Sequence, residues 1–293
     1  MRSMIVMIAV TIGMIGGIFA SAIFKGMSDQ RVKEAIKYET SHIQIHHPRF
    51  KENQELAYTV DSAREMAALI GSMEEVAAVS SRLEVPVMIK SSATGTGVQL
   101  LGVDPGQERK VTDIHQAIYD SARVARQFGI SEPKRIRRFL RDSVGQYFRE
   151  RSRSHQIVIG QELAEQLKVD VKSKVVVNLQ TADGSLSGGV FRVAGIYRIT
   201  NSTFENTMAF VRKDALASLT GLDPGSAHEL AIRLKDNRQV PPMVSKLQRI
   251  YPQVQVMSWK DIQPSLGMVT QWLDVMLYFI MVIILLALGF GIV

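Results

Sequence analysis

The sequence contains no cysteine, which excludes disulfide bonds and thiolate metal ligands. It also lacks the pattern G-x-x-x-x-G-K-[ST], so the chain has no P-loop to hold a nucleoside triphosphate. Gly95, Gly97 and Gly102 miss the spacing of a dinucleotide-binding loop, and no G-x-S-x-G motif marks a serine nucleophile. These absences favour a non-catalytic chain with no cofactor of its own.

Charge is missing from two stretches, one near each end of the chain. Residues 3–24 and 275–293 contain no charged side chain, whereas the sequence between them is densely charged. About 20 helical residues, at a rise of about 1.5 Å each, cross a hydrocarbon core of about 30 Å. The pattern predicts two transmembrane helices, at 1–25 and 266–293, with an extramembrane domain at 26–265.

The first apolar stretch has two alternative interpretations. A cleaved signal peptide has a shorter apolar core, although Ala20-Ser21-Ala22 resembles a cleavage site and Arg2 a basic flank. A buried core helix of a soluble domain would normally be shorter. The length of the run favours a retained transmembrane helix.

Small residues recur every four positions along the first helix. A stripe of this kind lies on one face and lets a neighbouring helix approach closely. We predict a helix-packing face, either against the second helix or between subunits, formed by Ala9, Gly13, Gly17 and Ser21.

The two flanks of the domain give little information on orientation. Basic residues follow the first apolar stretch at Lys25, Arg31, Lys33 and Lys37, which alone would favour a cytoplasmic domain. Long domains, however, translocate largely regardless of charge. The sequence stops inside an apolar helix without a charged end, so we expect a longer protein, truncated here after its second helix.

Strand and helix patterns alternate between the two apolar stretches, which predicts an α+β fold. Residues of about 106–155 are expected to form an inserted helical subdomain, with helix over about 112–153. Two β-hairpins are predicted: Val85–Ile89 with Val98–Val103 around Thr94–Gly97, and Val175–Gln180 with Val190–Ile199 across Asp183-Gly184.

Pro133–Arg153 is rich in basic residues and has apolar positions at helical spacing. The simplest interpretation is a helix that packs on the domain core and leaves its basic face in water. The alternatives are an anionic membrane surface or an acidic partner or substrate, whereas nucleic acid is not expected. The candidate surface residues are Arg137, Arg138 and Arg141.

Three histidines lie close together near the start of the domain. His42 and His46 share one face of a predicted strand, and His47 follows. Because no local carboxylate or cysteine completes a ligand set, no metal site is predicted.

Several short stretches, in their order along nearly the whole chain, resemble the FtsX-like/MacB-like permeases, the type VII ABC transporters. The first helix is one of them. The others are Ser41–Ile45, Leu101–Pro105, Ile157–Val169, Phe191–Tyr197, Phe204–Val211 and Met257–Trp259.

The resemblance implies a permease subunit with a MacB-like periplasmic core domain that carries a helical insertion. It places the domain in the periplasm and the helices in the bacterial cytoplasmic (inner) membrane. It also implies a separate ATP-binding cassette ATPase, which binds ATP and magnesium, and a second permease copy or paralogue. Membrane lipids and a periplasmic or outer-membrane protein are the other partners. ATP hydrolysis would be transmitted mechanically to the periplasmic domain to extrude or release a lipoprotein, lipid or drug-like substrate.

One loop departs from the lipoprotein-releasing members, which bind a carrier through an extended, proline-bearing hairpin. The matching turn, Thr181–Ser187, is short and has no proline, so carrier binding by that route is not expected. Two other functions share the same layout. One is a periplasmic sensor or receptor with two transmembrane helices, and the other is an FtsX-like activator of a cell-wall hydrolase.

Overall fold

A computed structural model describes residues 2–118, 147–148 and 155–292. The chain divides into two compact units, one formed by Met1–Ile36 with Trp259–Val293 and the other by Lys37–Ser258. The predicted limits of the extramembrane domain, 26 and 265, concern where the chain leaves the membrane and stay a prediction. The first helix continues without interruption to Glu34, well beyond the end of the apolar stretch.

The first unit consists of helices α1 (Arg2–Glu34), α10 (Trp259–Ile262) and α11 (Pro264–Ile292). Two segments, Thr11–Thr40 and Pro264–Ile283, are long and apolar enough to cross a membrane, and their most apolar 18-residue windows have mean hydropathy 1.3 and 1.7. Only 6% and 0% of their most apolar windows are buried. This exposure argues against buried core helices of a soluble protein. A π-helical segment, Ala35–Thr40, follows α1.

The second unit contains the nine strands of the described residues. The strands, in chain order, are β1 (Ile43–His46), β2 (Val76–Lys90), β3 (Gly95–Val103), β4 (Gln156–Gly160), β5 (Lys174–Gln180), β6 (Leu186–Tyr197), β7 (Met208–Arg212), β8 (Glu229–Leu234) and β9 (Gln255–Ser258). The helices are α2 (Phe50–Asn53), α3 (Ala63–Gly71), α4 (Pro105–Val111), α5 (Ile114–Ala117), α6 (Gln161–Leu167), α7 (Ser202–Thr207), α8 (Lys213–Thr220) and α9 (Val240–Ile250), with a 3₁₀ turn at Asn237–Gln239.

Six strands pair in a closed ring, in the order β2-β3-β7-β4-β6-β5 and back to β2. Pairs β3–β7 and β4–β6 are parallel, and the other four are antiparallel. Alternate residues of β2 point inward, as the period of two requires. They join the main apolar core with residues of α6 and α8, and the members from β2 are Leu83, Val85, Val87 and Ile89.

Strand β2 is long enough to belong to two sheets. Its second half lies in the ring, whereas its first half, Val76–Arg82, pairs with β8. Strand β8 pairs with β1, and β1 pairs with β9, which gives an outer sheet in the order β2-β8-β1-β9. The predicted α+β fold is therefore confirmed, with β2 joining its two sheets.

The first predicted hairpin is correct in its strands but wrong in its turn. Lys90 pairs with Gly95, so the turn lies at 91–94 rather than at 94–97. The Ser91 hydroxyl accepts hydrogen bonds from the backbone N–H groups of Ala93 and Thr94, which fixes this earlier turn. The second hairpin is confirmed, because β5 and β6 pair across Asp183-Gly184.

The helix predicted over about 112–153 is wrong at both described ends. Helix α5 ends at Ala117, and Ile118 then forms an antiparallel bridge with Tyr197 of β6. At the other end Phe148 has a left-handed φ of 54° and is not helical. Pairing with the sheet edge therefore replaces the helical hydrogen bonds at Ile118. Most of the predicted subdomain lies outside the described residues.

Candidate functional site

The strands adjoining the two apolar helices are hydrogen-bonded neighbours. Strand β1 begins three residues after the π-helical segment, and β9 ends immediately before α10 and α11. Four residue pairs join the strands in antiparallel register, from Ile43 with Ser258 to His46 with Gln255. The two apolar helices are thus linked covalently to adjacent strands of one sheet.

Helices α1 and α11 pack against each other within their own unit. A Cβ atom added to Gly17 would lie 3.8 Å from Cγ2 of Ile280, so Gly17 is at the contact. A Cβ on Gly13 would have nothing within 4 Å among the described residues. Ser21 is half-buried, and nothing is described of the side chain of Ala9. The packing role of the whole stripe stays a prediction.

A buried ion-pair network lies where β2 passes from the outer sheet into the ring. Arg82 donates from Nε and Nη2 to the two carboxylate oxygens of Glu108, at 3.0 and 2.7 Å, and from Nη1 to Glu229 at 2.6 Å. Ser80 and Thr112 donate their hydroxyls to Glu108, at 2.8 and 2.7 Å. The network joins β2, α4 and β8.

The charges of this network depend on one another. Burial alone would raise the pKa of Glu108, but the charge and hydrogen bonds of Arg82 hold it below its ordinary value. Burial raises the pKa of Glu229, which Arg82 and Lys51 only partly offset. The pKa of Arg82 is raised, because the two carboxylates outweigh its desolvation. The guanidinium is therefore the common counter-charge of two buried acids.

The network was not anticipated from the sequence. Its visible signal is a charged residue in the middle of a long β-pattern, at Arg82 between Ser80-Ser81 and Leu83. Such a residue normally faces water. Here consecutive residues of β2, 82–85, are buried, so both faces of the strand are covered at this point. The partners of Arg82 come from residues 26 and 147 positions later in the chain.

A cleft of about 580 Å³ lies between α3, β2 and the first turns of α4 and α8. Its lining includes four basic and two acidic side chains, which gives a net charge of +2; these are Arg64, Asp104, Lys110, Arg212, Lys213 and Asp214. Lys213 is half-buried, and its Nζ donates to Oγ of Ser81 at 2.8 Å. Burial, together with the charge of Arg64, lowers the pKa of Lys213 to about 8.

Glu205, which lies in the stretch Phe204–Val211 that resembles the permease family, has a structural role. Glu205 is almost fully buried, its pKa is raised by burial, and its carboxylate accepts the backbone N–H of Ile199. The backbone of α7 at Glu205 is so close to Gly160 that an added Cβ would lie 2.2 Å from the Glu205 carbonyl oxygen. A glycine at 160 is therefore required by this close approach.

The three histidines are held by protein partners. Nδ1 of His46 lies 3.1 Å from the carbonyl oxygen of His228, and Nε2 lies 3.0 Å from Oε1 of Gln44. Nδ1 of His42 accepts the N–H of Leu234, and the ring of His47 stacks on Tyr58. Burial lowers the pKa of His42 to about 4, and burial also holds the pKa of His46 well below its ordinary value. Within the described residues no group of three ligands could hold a metal ion.

The predicted basic surface falls on residues that the structure does not describe, namely Arg137, Arg138 and Arg141. Of the same stretch, Tyr147 and Phe148 are described, and both are buried in a second apolar cluster with residues of β3, β6 and α5. Arg109 donates to the carbonyl oxygen of Tyr147 at 3.0 Å. The role of the three arginines stays a prediction.

Comparison with known families decides the identity of the fold. The family model described as the MacB-like periplasmic core domain matches residues 3–250. The chain belongs to this family. It is therefore a membrane protein with an extracytoplasmic domain, and it is a permease component of an ABC transporter.

Solved structures similar to this MacB-like chain come from transporters. The extracellular domain of the noncanonic ABC-type transporter YknZ from Gram-positive bacteria is 13% identical, with a TM-score of 0.43 over 74% of this chain and 99% of that one. The periplasmic region of MacB from Actinobacillus actinomycetemcomitans is 8% identical, with a TM-score of 0.47 over 78% and 94%. No curated protein sequence matches significantly.

Proposed function

We propose that this chain is the permease subunit of a type VII transporter in a bacterial cytoplasmic membrane, with its core domain in the periplasm. A separate ATPase subunit hydrolyses ATP, and the resulting movement of the helices is transmitted to the domain. The substrate is released or extruded from the periplasmic side. Family membership supports the class of protein, and the pairing of β1 with β9 supports the mechanism.

The connection between helices and sheet is short at both ends. Two residues separate the π-helical segment from β1, and none separates β9 from α10. Paired strands resist relative displacement, because each slip breaks backbone hydrogen bonds that must be satisfied. A change in the helix pair would therefore move β1 and β9 together rather than being lost in flexible linkers.

A flexible insertion tests this transmission. Gly-Ser-Gly-Ser inserted between Ser258 and Trp259 should leave ATP hydrolysis by the complete transporter unchanged. It should abolish the vanadate-trapped, ATP-dependent change in hydrogen exchange over the domain residues 37–258. The same insertion between Asp183 and Gly184, in an exposed hairpin turn, is the matched control and should preserve that change. An unchanged response in the first variant would contradict transmission through β9.

A second experiment tests whether ATP is bound by the separate ATPase subunit and not by this chain. Because the sequence has no P-loop, the purified chain should bind no MgATP. The full-length protein purified with its ATPase from host membranes should hydrolyse ATP in a vanadate-sensitive way. Micromolar ATP binding by the isolated chain would contradict the assignment as a permease.

The basic stretch is proposed as a partner or substrate surface of this permease. Reversal of its central charges to glutamate should leave the fold unchanged, since charged faces of surface helices contribute little to stability. It should slow transport by the intact complex. Wild-type transport by a normally folded triple variant would show that the surface has no role. The three positions are Arg137, Arg138 and Arg141.

A further inference from the structure

The cleft between α3, β2, α4 and α8 has the dimensions of a small-molecule site. Its volume of about 580 Å³ falls within the range of about 300–1,000 Å³ that is usual for ligand pockets. Its walls come from four separate elements, so it is a concavity of the fold rather than a gap beside one loop. Part of its lining is apolar and has small side chains, including Ala67, Ala68, Ala77, Ala78 and Val79.

The acidic side chains in the cleft are already occupied. Asp104 accepts the N–H groups of Gly106 and Gln107 at the start of α4, at 2.8 and 3.1 Å. Asp214 pairs with Arg212 at 3.1 Å and also accepts the N–H of Ala215. The carboxylates therefore satisfy backbone donors and one arginine.

The remaining basic side chains of the cleft form no ion pair among the described residues. Neither Arg64 nor Lys110 forms an ion pair or a side-chain hydrogen bond within the part of the chain that the structure describes. The described hydrogen bond of the Lys213 ammonium is to a neutral hydroxyl, that of Ser81. An ammonium has three donors, so two remain available. The cleft therefore presents surplus positive charge and unused donors.

Lys213 is fixed where it can contact a ligand. It is the first residue of α8, and this turn packs so closely on β3 that a Cβ on Gly102 would lie 2.9 Å from Leu216 and 3.3 Å from Cα of Lys213. The half-buried position keeps the ammonium from full hydration. Partial desolvation strengthens its attraction for an anion.

We propose that this cleft binds a small organic anion. Its phosphate or carboxylate group lies between Arg64 and Lys213, and its compact apolar part rests on the alanines of α3 and β2. The combination of two unpaired cations with a small-residue apolar wall distinguishes this site from a simple basic surface. Binding at this site does not depend on the proposed transport mechanism.

The electrostatics give the proposal a pH dependence. The pKa of Lys213 is lowered to about 8 by burial and by Arg64, while Asp104 and Asp223 act in the opposite direction. An anion favours the protonated amine, so binding should raise this pKa. Affinity should therefore be highest below about pH 8 and fall as the pH rises above it. His228, on which Lys213 also acts, has a lowered pKa and stays neutral throughout this range.

Isothermal titration calorimetry with the whole chain in a neutral detergent tests the site. Phenyl phosphate and benzoate are the probes, with inorganic phosphate and phenol as the partial ligands. At pH 7, phenyl phosphate, benzoate or both should bind more tightly than inorganic phosphate or phenol. Whichever of the two probes binds more tightly shows whether the site prefers a phosphate or a carboxylate group. Binding should weaken at pH 9.5.

Two variants and one control locate the binding. Lys213→Met and Arg64→Gln should each lower the affinity about ten-fold or more, because each removes a charge-assisted hydrogen bond. Lys174→Gln, at an exposed position of β5, should bind normally. Thermal unfolding of each variant establishes that the fold persists. Any of three results would overturn the proposal. They are an equal loss of affinity in all three variants, an affinity unaffected by Lys213→Met, and inorganic phosphate binding as tightly as both organic anions.

Discussion

Arg82→Met isolates the contribution of the buried ion-pair network, because methionine fills much of the arginine stem but carries no charge. The arginine side chain is 2% exposed, and those of its partners Glu108 and Glu229 are 0% and 4% exposed. Removal of the guanidinium leaves both carboxylates in the interior without their common counter-charge. Ser80 and Thr112 would still donate to Glu108, so the loss should be partial there and larger at Glu229.

Breaking a buried ion pair by removal of one partner costs about 3–5 kcal/mol. For a folded unit of this size, each kcal/mol lowers the midpoint of thermal unfolding by about 2–4 °C. The variant should therefore unfold about 6–20 °C below the wild type. Adding Glu108→Gln and Glu229→Gln to Arg82→Met should recover part of this loss, because the uncompensated charges are then removed.

Circular dichroism during thermal unfolding of the chain in detergent measures the effect. Arg249→Met, at an exposed position of α9, is the matched control and should change stability by less than about 0.5 kcal/mol. Without Arg82 the folded-state pKa of Glu108 should rise above its unfolded value, and that of Glu229, already raised by burial, should rise further. The variant should therefore be relatively more stable near pH 5 and lose stability as the pH rises through the folded-state pKa values. A loss below about 1 kcal/mol at pH 7 would refute this account of the network.

The remaining predictions concern close approaches of the backbone. Gly17→Leu should disrupt the packing of α1 on α11 and lower recovery of folded protein by size-exclusion chromatography, because Ile280 is already in van der Waals contact with an added Cβ. Ile12→Leu, at an exposed position outside the small-residue stripe, is the matched control and should be recovered like the wild type; an equal loss there would contradict packing through Gly17. Gly160→Ala should lower the unfolding midpoint strongly, whereas Gly97→Ala, whose Cβ would lie 3.8 Å from Sδ of Met88, should have little effect. Similar midpoints for the two alanine variants would contradict the required approach at Gly160.

Local patterns predicted much of the fold. The alternation of apolar residues located the second half of β2 and strand β3, and the Asp183-Gly184 turn located the β5–β6 hairpin. The pattern failed where a nonlocal contact decides the structure. Ile118 fits a helical apolar face, but its bridge to Tyr197 cannot be foreseen from neighbours in the sequence. The turn after β2 was misplaced because glycines at 95 and 97 indicate a turn, whereas both lie in β3, where they pair with Lys90 and Met88 of β2.

The candidate site was less accessible from sequence than the fold. The small-residue stripe is periodic and therefore visible, and family resemblance supplied the class of protein. Arg64 and Lys213 have no periodic relation, and they meet because β7 adjoins β3 and α3 packs near β2. Likewise, no residue near Arg82 in the sequence indicates that Glu229 is its ion-pair partner. A charge cluster formed by residues from distant segments can be recognised only once the topology of the fold is known.

The register of β1 also sets the order in which the domain can fold during synthesis. Ile43 and Ile45 lie in a strand whose partners, β8 and β9, are made roughly 200 residues later. At a synthesis rate of about 5–20 residues per second, this strand waits about 10–40 s with both edges unpaired. The β2–β3 hairpin, by contrast, can close as soon as its short turn is made. The outer sheet therefore closes only after β8 and β9 are made, and until then both edges of β1 are open to pairing with another chain.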